Sequence, residues 1–200
     1  MVEPFRRQHP GVDVVLREMN MADLNRMLDG GLLDFVFGVV QAQKAALAST
    51  FLYSEPLLYV PRGGQVVAKR GAQSVRLKDI ADETYVMVPD ACGLSLATRA
   101  VFRSQRRKLH AYSGEAMSYQ VLAEWAALGI GAAILPQSKL QDSERTGFCI
   151  TDKADQEIRI DFEAVWSRSR TQAAHVLQFS EHLRKTVPAL VKGLNQPLDQ

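Results

Sequence analysis

The sequence predicts an α/β chain built as two lobes, and three observations predict it. Apolar runs of strand length alternate with segments of helical period along the chain, the pattern of sheets covered by helices on both faces. Leu33–Val40 (LDFVFGVV) is almost wholly apolar, as expected of a strand buried on both sides. At Asn20-Met21, Pro89–Ser95 and Ser118 a helix start follows a strand, three times within two successive α/β units.

The elements follow in order. Val2–His9 reads as a short helix stopped by Pro10-Gly11. Val12–Arg17, rich in β-branched residues after a turn, reads as a strand. Asn20 is an N-cap, with Asp23 adding negative charge to the first turn; Leu24, Met27 and Leu28 mark one face, and Gly30-Gly31 ends the helix. Residues 41–50 read as a loop, and Phe51–Tyr53 and Pro56–Val60 as two extended segments. Leu77–Ala81 reads as a short helix. Tyr85–Val88 is a strand running into the loop Pro89–Gly93 and a helix from Ser95 to Arg107. Leu109–Tyr112 is a strand. Ser118 caps a helix bearing Val121, Leu122, Trp125 and Leu128, and Gly129 and Gly131 lead into the strand Ala132–Leu135. Phe148–Thr151 and Ile158–Trp166 are strands. A last helix, Thr171–Val187, turns Ala173, Val176, Leu177, Ser180 and Leu183 inward, before a frayed tail at Asn195–Gln200. Mainly parallel pairing is expected throughout.

Composition narrows the function. With 24 basic against 22 acidic residues the net charge is +2, too little for the positive field that holds a protein on DNA by itself. The two cysteines, Cys92 and Cys149, form no C-x-x-C pair and fit a reducing, cytoplasmic setting. The longest apolar stretch, Ala126–Leu135, is half of the roughly 20 residues that span a bilayer. No membrane partner is expected.

Signals for catalysis are weak. Gly129-Ile130-Gly131 stands after a helix and before a strand, the reverse of a dinucleotide loop, and reads as a turn. Of the four histidines only His175 and His182 share a helix, seven residues apart rather than the four that converge on zinc, so surface positions are expected. No G-x-S-x-G elbow exists, and Cys92 has no sequence-adjacent base. Arg99, Arg103, Arg106, Arg107 and Lys108 read as a solvated helix face opposite buried Ala97, Ala100 and Val101. Neither a cofactor nor a metal is expected. Pro89–Ser95 is different: small residues between a strand's carboxyl end and a helix start offer backbone amides to an anion.

Several strings resemble the effector-binding, C-terminal region of LysR-type transcriptional regulators. Phe5–Val12 (FRRQHPGV) resembles an F-x-x-x-x-P-x-V opening, and Leu24 through Leu28-Asp29-Gly30-Gly31-Leu32-Leu33-Asp34 an L-x-x-G-x-L-D segment. Glu55–Val60 (EPLLYV) is similar to the crossover strand, Leu77–Ile80 (LKDI) to an L-x-D-L helix, and Ala127–Pro136 (ALGIGAAILP) to an A-G-x-G-I-x-x-L-P signature. The strings are loose singly and specific in their order, which covers essentially the whole chain.

The resemblance implies two Rossmann-like lobes of periplasmic-binding-protein type 2 architecture, joined by two crossing strands near Tyr59 and Trp166. Lobe I then comprises residues 1–58 and 166–200, and lobe II residues 59–165. It implies a small-molecule effector held in the interlobe cleft by Asn20, Met21, the strand end Gly38-Val39-Val40, Pro89, Cys92, Ser95, Glu115, Met117 and Ser118. Helix starts favour an anionic ligand, whereas Glu115 favours a cationic group, and both signs stay open. It also implies a homodimer that touches DNA only through an N-terminal reading domain with no counterpart here. The family's first strand of lobe I is absent too, so the expected fragment is truncated. The reading is a non-enzymatic ligand sensor; the alternatives are a free-standing solute-binding protein of the same fold and an enzyme on a related scaffold.

Overall fold

The structure, a computed structural model, describes residues 2–39, 45–64, 73–140 and 147–194, with side chains through Val187. Val40, residues 41–44 of the expected 41–50 loop and the Asn195–Gln200 tail lie outside the described residues; the end of that expected loop, from Leu47, is instead the start of a strand, Leu47–Val60. The chain divides into two compact units, Met1–Tyr53 with Asp161–Gln200, and Ser54–Ile160.

In unit 1, helix α1 (Val2–Gln8) buries Phe5, and α2 (Met21–Asp29) buries Leu28. Strand β1 (Val36–Gly38) pairs antiparallel with β8 (Arg159–Ser167), Val36 opposite Val165 and Gly38 opposite Glu163. Helix α6 (Ala174–Leu194) closes the unit. The sheet separates two apolar clusters. Phe5, Leu52, Ala164, Phe179 and Leu183 fill one, and Leu28, Val36 and Val165, with Met21 and Leu24, fill the other. On α6 it is Phe179 rather than Leu177 that points inward; Leu177 is exposed. His182 is buried, its ring 5.3 Å from that of Phe5, which corrects the expectation of surface histidines: the helix turns it into an aromatic cluster.

Unit 2 holds the second half of β2 (Leu47–Val60), β3 (Ser74–Arg76), α3 (Leu77–Ile80), β4 (Thr84–Met87), α4 (Gly93–Ser104), β5 (His110–Glu115), α5 (Tyr119–Ala127), β6 (Ala133–Pro136) and β7 (Phe148–Thr151). β2 pairs antiparallel with β6 and β7; β3 pairs parallel with β7, and β4 with β5. The chain passes between units within β2 and within β8.

Three expectations are corrected. Val12–Arg17 forms no strand: among the described residues its one backbone bond is the turn bond from the Val12 amide to the His9 carbonyl, 3.0 Å. A strand needs a partner, and β-branched residues alone do not supply one. Phe51–Tyr53 and Pro56–Val60 are one strand of 14 residues, Pro56 losing nothing there but its missing donor. Pairing is mixed rather than mainly parallel, because the long strands that change units run against their neighbours β1, β6 and β7.

Helix ends are settled locally. Gly129 (φ +78°) follows α5; its amide bonds the Ala126 carbonyl at 3.0 Å and that of Ile130 bonds Trp125 at 3.1 Å, the two bonds of a Schellman cap. Gly31 (φ +71°) repeats the arrangement after α2. Gly131 is required for another reason. A Cβ there would stand 2.8 Å from the Thr84 carbonyl oxygen, so the glycine lets the chain pass against β4, where the Ala132 amide bonds that same oxygen. The turn reading of Gly-Ile-Gly holds.

Candidate functional site

Unit 2 brings two helix starts together at one strand edge. β4 and β5 are parallel, with Met87 opposite Glu115, so their carboxyl ends deliver the Pro89–Cys92 loop and the Ala116–Ser118 loop side by side. The Ala116 amide bonds the Met87 carbonyl at 2.8 Å and pins the second loop. Open α/β sheets bind ligands at this edge.

Each candidate there has a place. Pro89 accepts the Cys92 amide at 2.8 Å, closing the turn into α4. Cys92 occupies the N-cap of α4 without a side-chain cap bond, and its Sγ lies 3.4 Å from the Tyr119 hydroxyl at the start of α5. Ser95 is fully buried and donates to Asp90 Oδ1 at 2.9 Å, while Arg99 donates to the same oxygen. The Ser95 hydroxyl first, and the Arg99 guanidinium second, hold the Asp90 carboxyl below its ordinary range. Ser118 is the N-cap of α5, its Oγ accepting from the Val121 amide at 3.2 Å. Glu115 is exposed at the end of β5, and Met117 is 82% exposed. A small recess beneath these helix starts is lined by Met87, Leu94, Ser95, Thr98 and Leu122.

The basic run is a solvated face, as expected, but opposite a different stripe. Gly93, Leu94, Ser95, Thr98 and Phe102 are the buried residues of α4, and Ala100 is exposed. Arg99 turns back to Asp90 in the loop before the helix.

In unit 1, Asn20 caps α2: its Oδ1 accepts the Asp23 amide at 2.9 Å and its Nδ2 donates to the Asp23 carboxylate at 2.7 Å. Met21 packs on the end of β1, its Sδ 2.9 Å from where a Cβ on Gly38 would stand, and Val39 follows, half-buried. Sequence reasoning missed Glu163, which faces Gly38 across the sheet and whose Oε2 is buried with no hydrogen-bond partner. In the sequence Glu163 falls on the polar phase of Ile158–Trp166 together with Arg159 and Asp161, so the alternation carried no signal for it.

Among the described residues no three His, Cys, Asp or Glu side chains gather as a metal site, and no helix is long and apolar enough to cross a membrane.

In unit 2 the paired helix starts stand at the carboxyl ends of β4 and β5, the edge where open α/β sheets bind ligands. The family model described as the LysR substrate binding domain matches residues 1–188, and the chain belongs to that family. No curated protein sequence matches it. Solved structures of regulator domains are similar, and three of them are as follows. The Synechocystis PCC6803 CcmR regulatory domain in complex with 2-PG has a TM-score of 0.74 and 18% identity, over 93% of this chain and 88% of that one. The BenM effector-binding domain with its effector benzoate has a TM-score of 0.74 and 18% identity, over 98% and 87%. The QuiR effector-binding domain in complex with shikimate has a TM-score of 0.77 and 15% identity, over 94% and 88%.

Proposed function

We propose that this chain is the small-molecule sensing part of a LysR-type transcriptional regulator. The observation that carries the reading is the family match over residues 1–188. The paired helix starts of α4 and α5 support it, since first-turn amides and the helix dipole attract an anionic group. CcmR, BenM and QuiR are each described with a small molecule bound, and benzoate and shikimate are carboxylates.

The effector contacts proposed are Asn20, Met21 and Val39 in unit 1, and Pro89, Cys92, Ser95, Glu115, Met117 and Ser118 in unit 2. Residues 1–58 and 166–200 against 59–165 are the proposed working lobes. Binding without chemistry is the proposed action: the effector favours one arrangement of the protein over another by differential affinity. A homodimer, contact with DNA through a separate domain, and a cytoplasmic setting belong to the same reading. Nothing in the family membership favours a free-standing solute-binding protein.

A thermal-shift screen of small metabolites, followed by calorimetry on the hits, tests it. Saturable binding of one or a few small acids is expected; a panel of several hundred metabolites with no binder would overturn the proposal.

A further inference from the structure

We infer that Glu163 is an effector-recognition residue, and that the effector carries a hydroxyl or ammonium donor which its Oε2 accepts. The inference rests on the sensing function proposed above and adds the chemistry of the ligand.

Strand register places this carboxylate. Val36 and Gly38 stand opposite Val165 and Glu163, and side chains two apart share a face. Val36 and Val165 belong to the apolar cluster that includes Met21 and Leu24 of α2, so Glu163 lies on that same face. Its cross-strand neighbour Gly38 has no side chain, and Met21 Sδ reaches over that glycine. Glu163 therefore stands beside Met21 and the end of β1, two of the places independently proposed for the effector.

The carboxylate lacks what such a place normally demands. Buried side-chain oxygens in folded proteins are hydrogen-bonded with few exceptions, because leaving one unmade costs free energy. Glu163 Oε2 is buried beside an apolar cluster and accepts nothing from any described residue. Among the described residues Trp166 Nε1 is the other such atom, but its indole lies in the core, flanked by Phe35 and with the Arg184 guanidinium 5.7 Å above the ring. Of these two atoms, Glu163 Oε2 combines the unmade bond with a candidate ligand position. A site built to accept a donor rejects an analogue that lacks it, since the acceptor is then stranded.

Two isosteric series probe this on the whole chain by calorimetry: butanoate, 3-hydroxypropanoate and β-alanine; and 3-ethylbenzoate, 3-(hydroxymethyl)benzoate and 3-(aminomethyl)benzoate. Each series replaces one methyl by hydroxyl and then by ammonium, so the arms distinguish the two donors. A donor-bearing member is expected to bind wild type about tenfold or more tighter than its methyl isostere. Glu163→Met, which keeps the length and removes both oxygens, cuts that preference to within about threefold, and leaves the isostere's affinity and the ligand-free Tm unchanged or raised. Glu163→Gln abolishes an ammonium preference and only weakens a hydroxyl preference. A preference absent from wild type, or retained in Glu163→Met, overturns the inference. So does a lowered Tm of ligand-free Glu163→Met, which marks a structural role, and so does a metabolite screen whose binders all lack donors. No binder of any kind overturns the sensing reading first, and this one with it.

Discussion

The Cys92 sulfur lies 3.4 Å from the phenolic oxygen of Tyr119, tying the N-cap of α4 to the first residue of α5. The two helix starts thus form one surface, and a change at either cap is felt at the other. Tyr119→Phe removes that contact without disturbing either cap. The expected result is weaker binding of whichever metabolite the screen returns, with the fold retained by circular dichroism.

Ser118 has a structural duty beside its proposed one. Its Oγ satisfies the Val121 amide, so Ser118→Ala is expected to destabilise by about 1 kcal/mol in urea unfolding, while Ser118→Gly costs only a few tenths. A binding test at this position therefore uses Ser118→Gly, which separates loss of the hydroxyl from loss of the helix end.

Arg106 follows α4 at φ +54°, where its amide bonds Arg103 at 3.0 Å and that of Arg107 bonds Phe102 at 2.9 Å. This is the same cap that Gly31 and Gly129 make, built with a side chain that resists a left-handed backbone. Arg106→Gly is expected to stabilise the chain by about 0.5–1 kcal/mol, read as a raised urea midpoint at unchanged slope.

Gly131 packs against backbone, and backbone does not rotate aside. Gly131→Ala is expected to cost about 1–3 kcal/mol, since the Thr84 carbonyl at 2.8 Å and the Val86 amide nitrogen at 3.2 Å must both shift. Melting temperature measures the loss. The neighbouring Gly129→Ala meets nothing closer than 3.9 Å and suffers only the cost of its positive φ, so it is expected to be the milder change.

Asp90 has a depressed carboxyl pKa in the folded chain, chiefly from Ser95 and then Arg99. A group lowered by folding lends stability above its unfolded pKa, and that stability fades as pH falls through the folded value. Asp90→Asn is therefore expected to lower Tm slightly at pH 7, with the gap to wild type closing below pH about 4. The effect is small because Asp90 is largely exposed and its pairing is screened.

The sequence by itself determined what is decided within a few residues. Asn20 and Ser118 cap their helices through amides three residues on, and Gly31 and Gly129 close theirs with bonds reaching back five. The strings around Leu24–Asp34 and Ala127–Pro136 carried the family for the same reason, since their residues answer to local backbone demands. The tertiary structure decided what depends on a partner distant in sequence. Val12–Arg17 has strand composition and no strand, because ladder bonds come from a neighbour and not from propensity. The direction of β1, β6 and β7, the rotation of α4 that buries Thr98 and Phe102, and the placing of Glu163 across from Gly38 each join segments far apart in the chain. Burial and register are properties of pairs of segments, and a hydrophobic pattern read along one segment names the faces without naming what they meet.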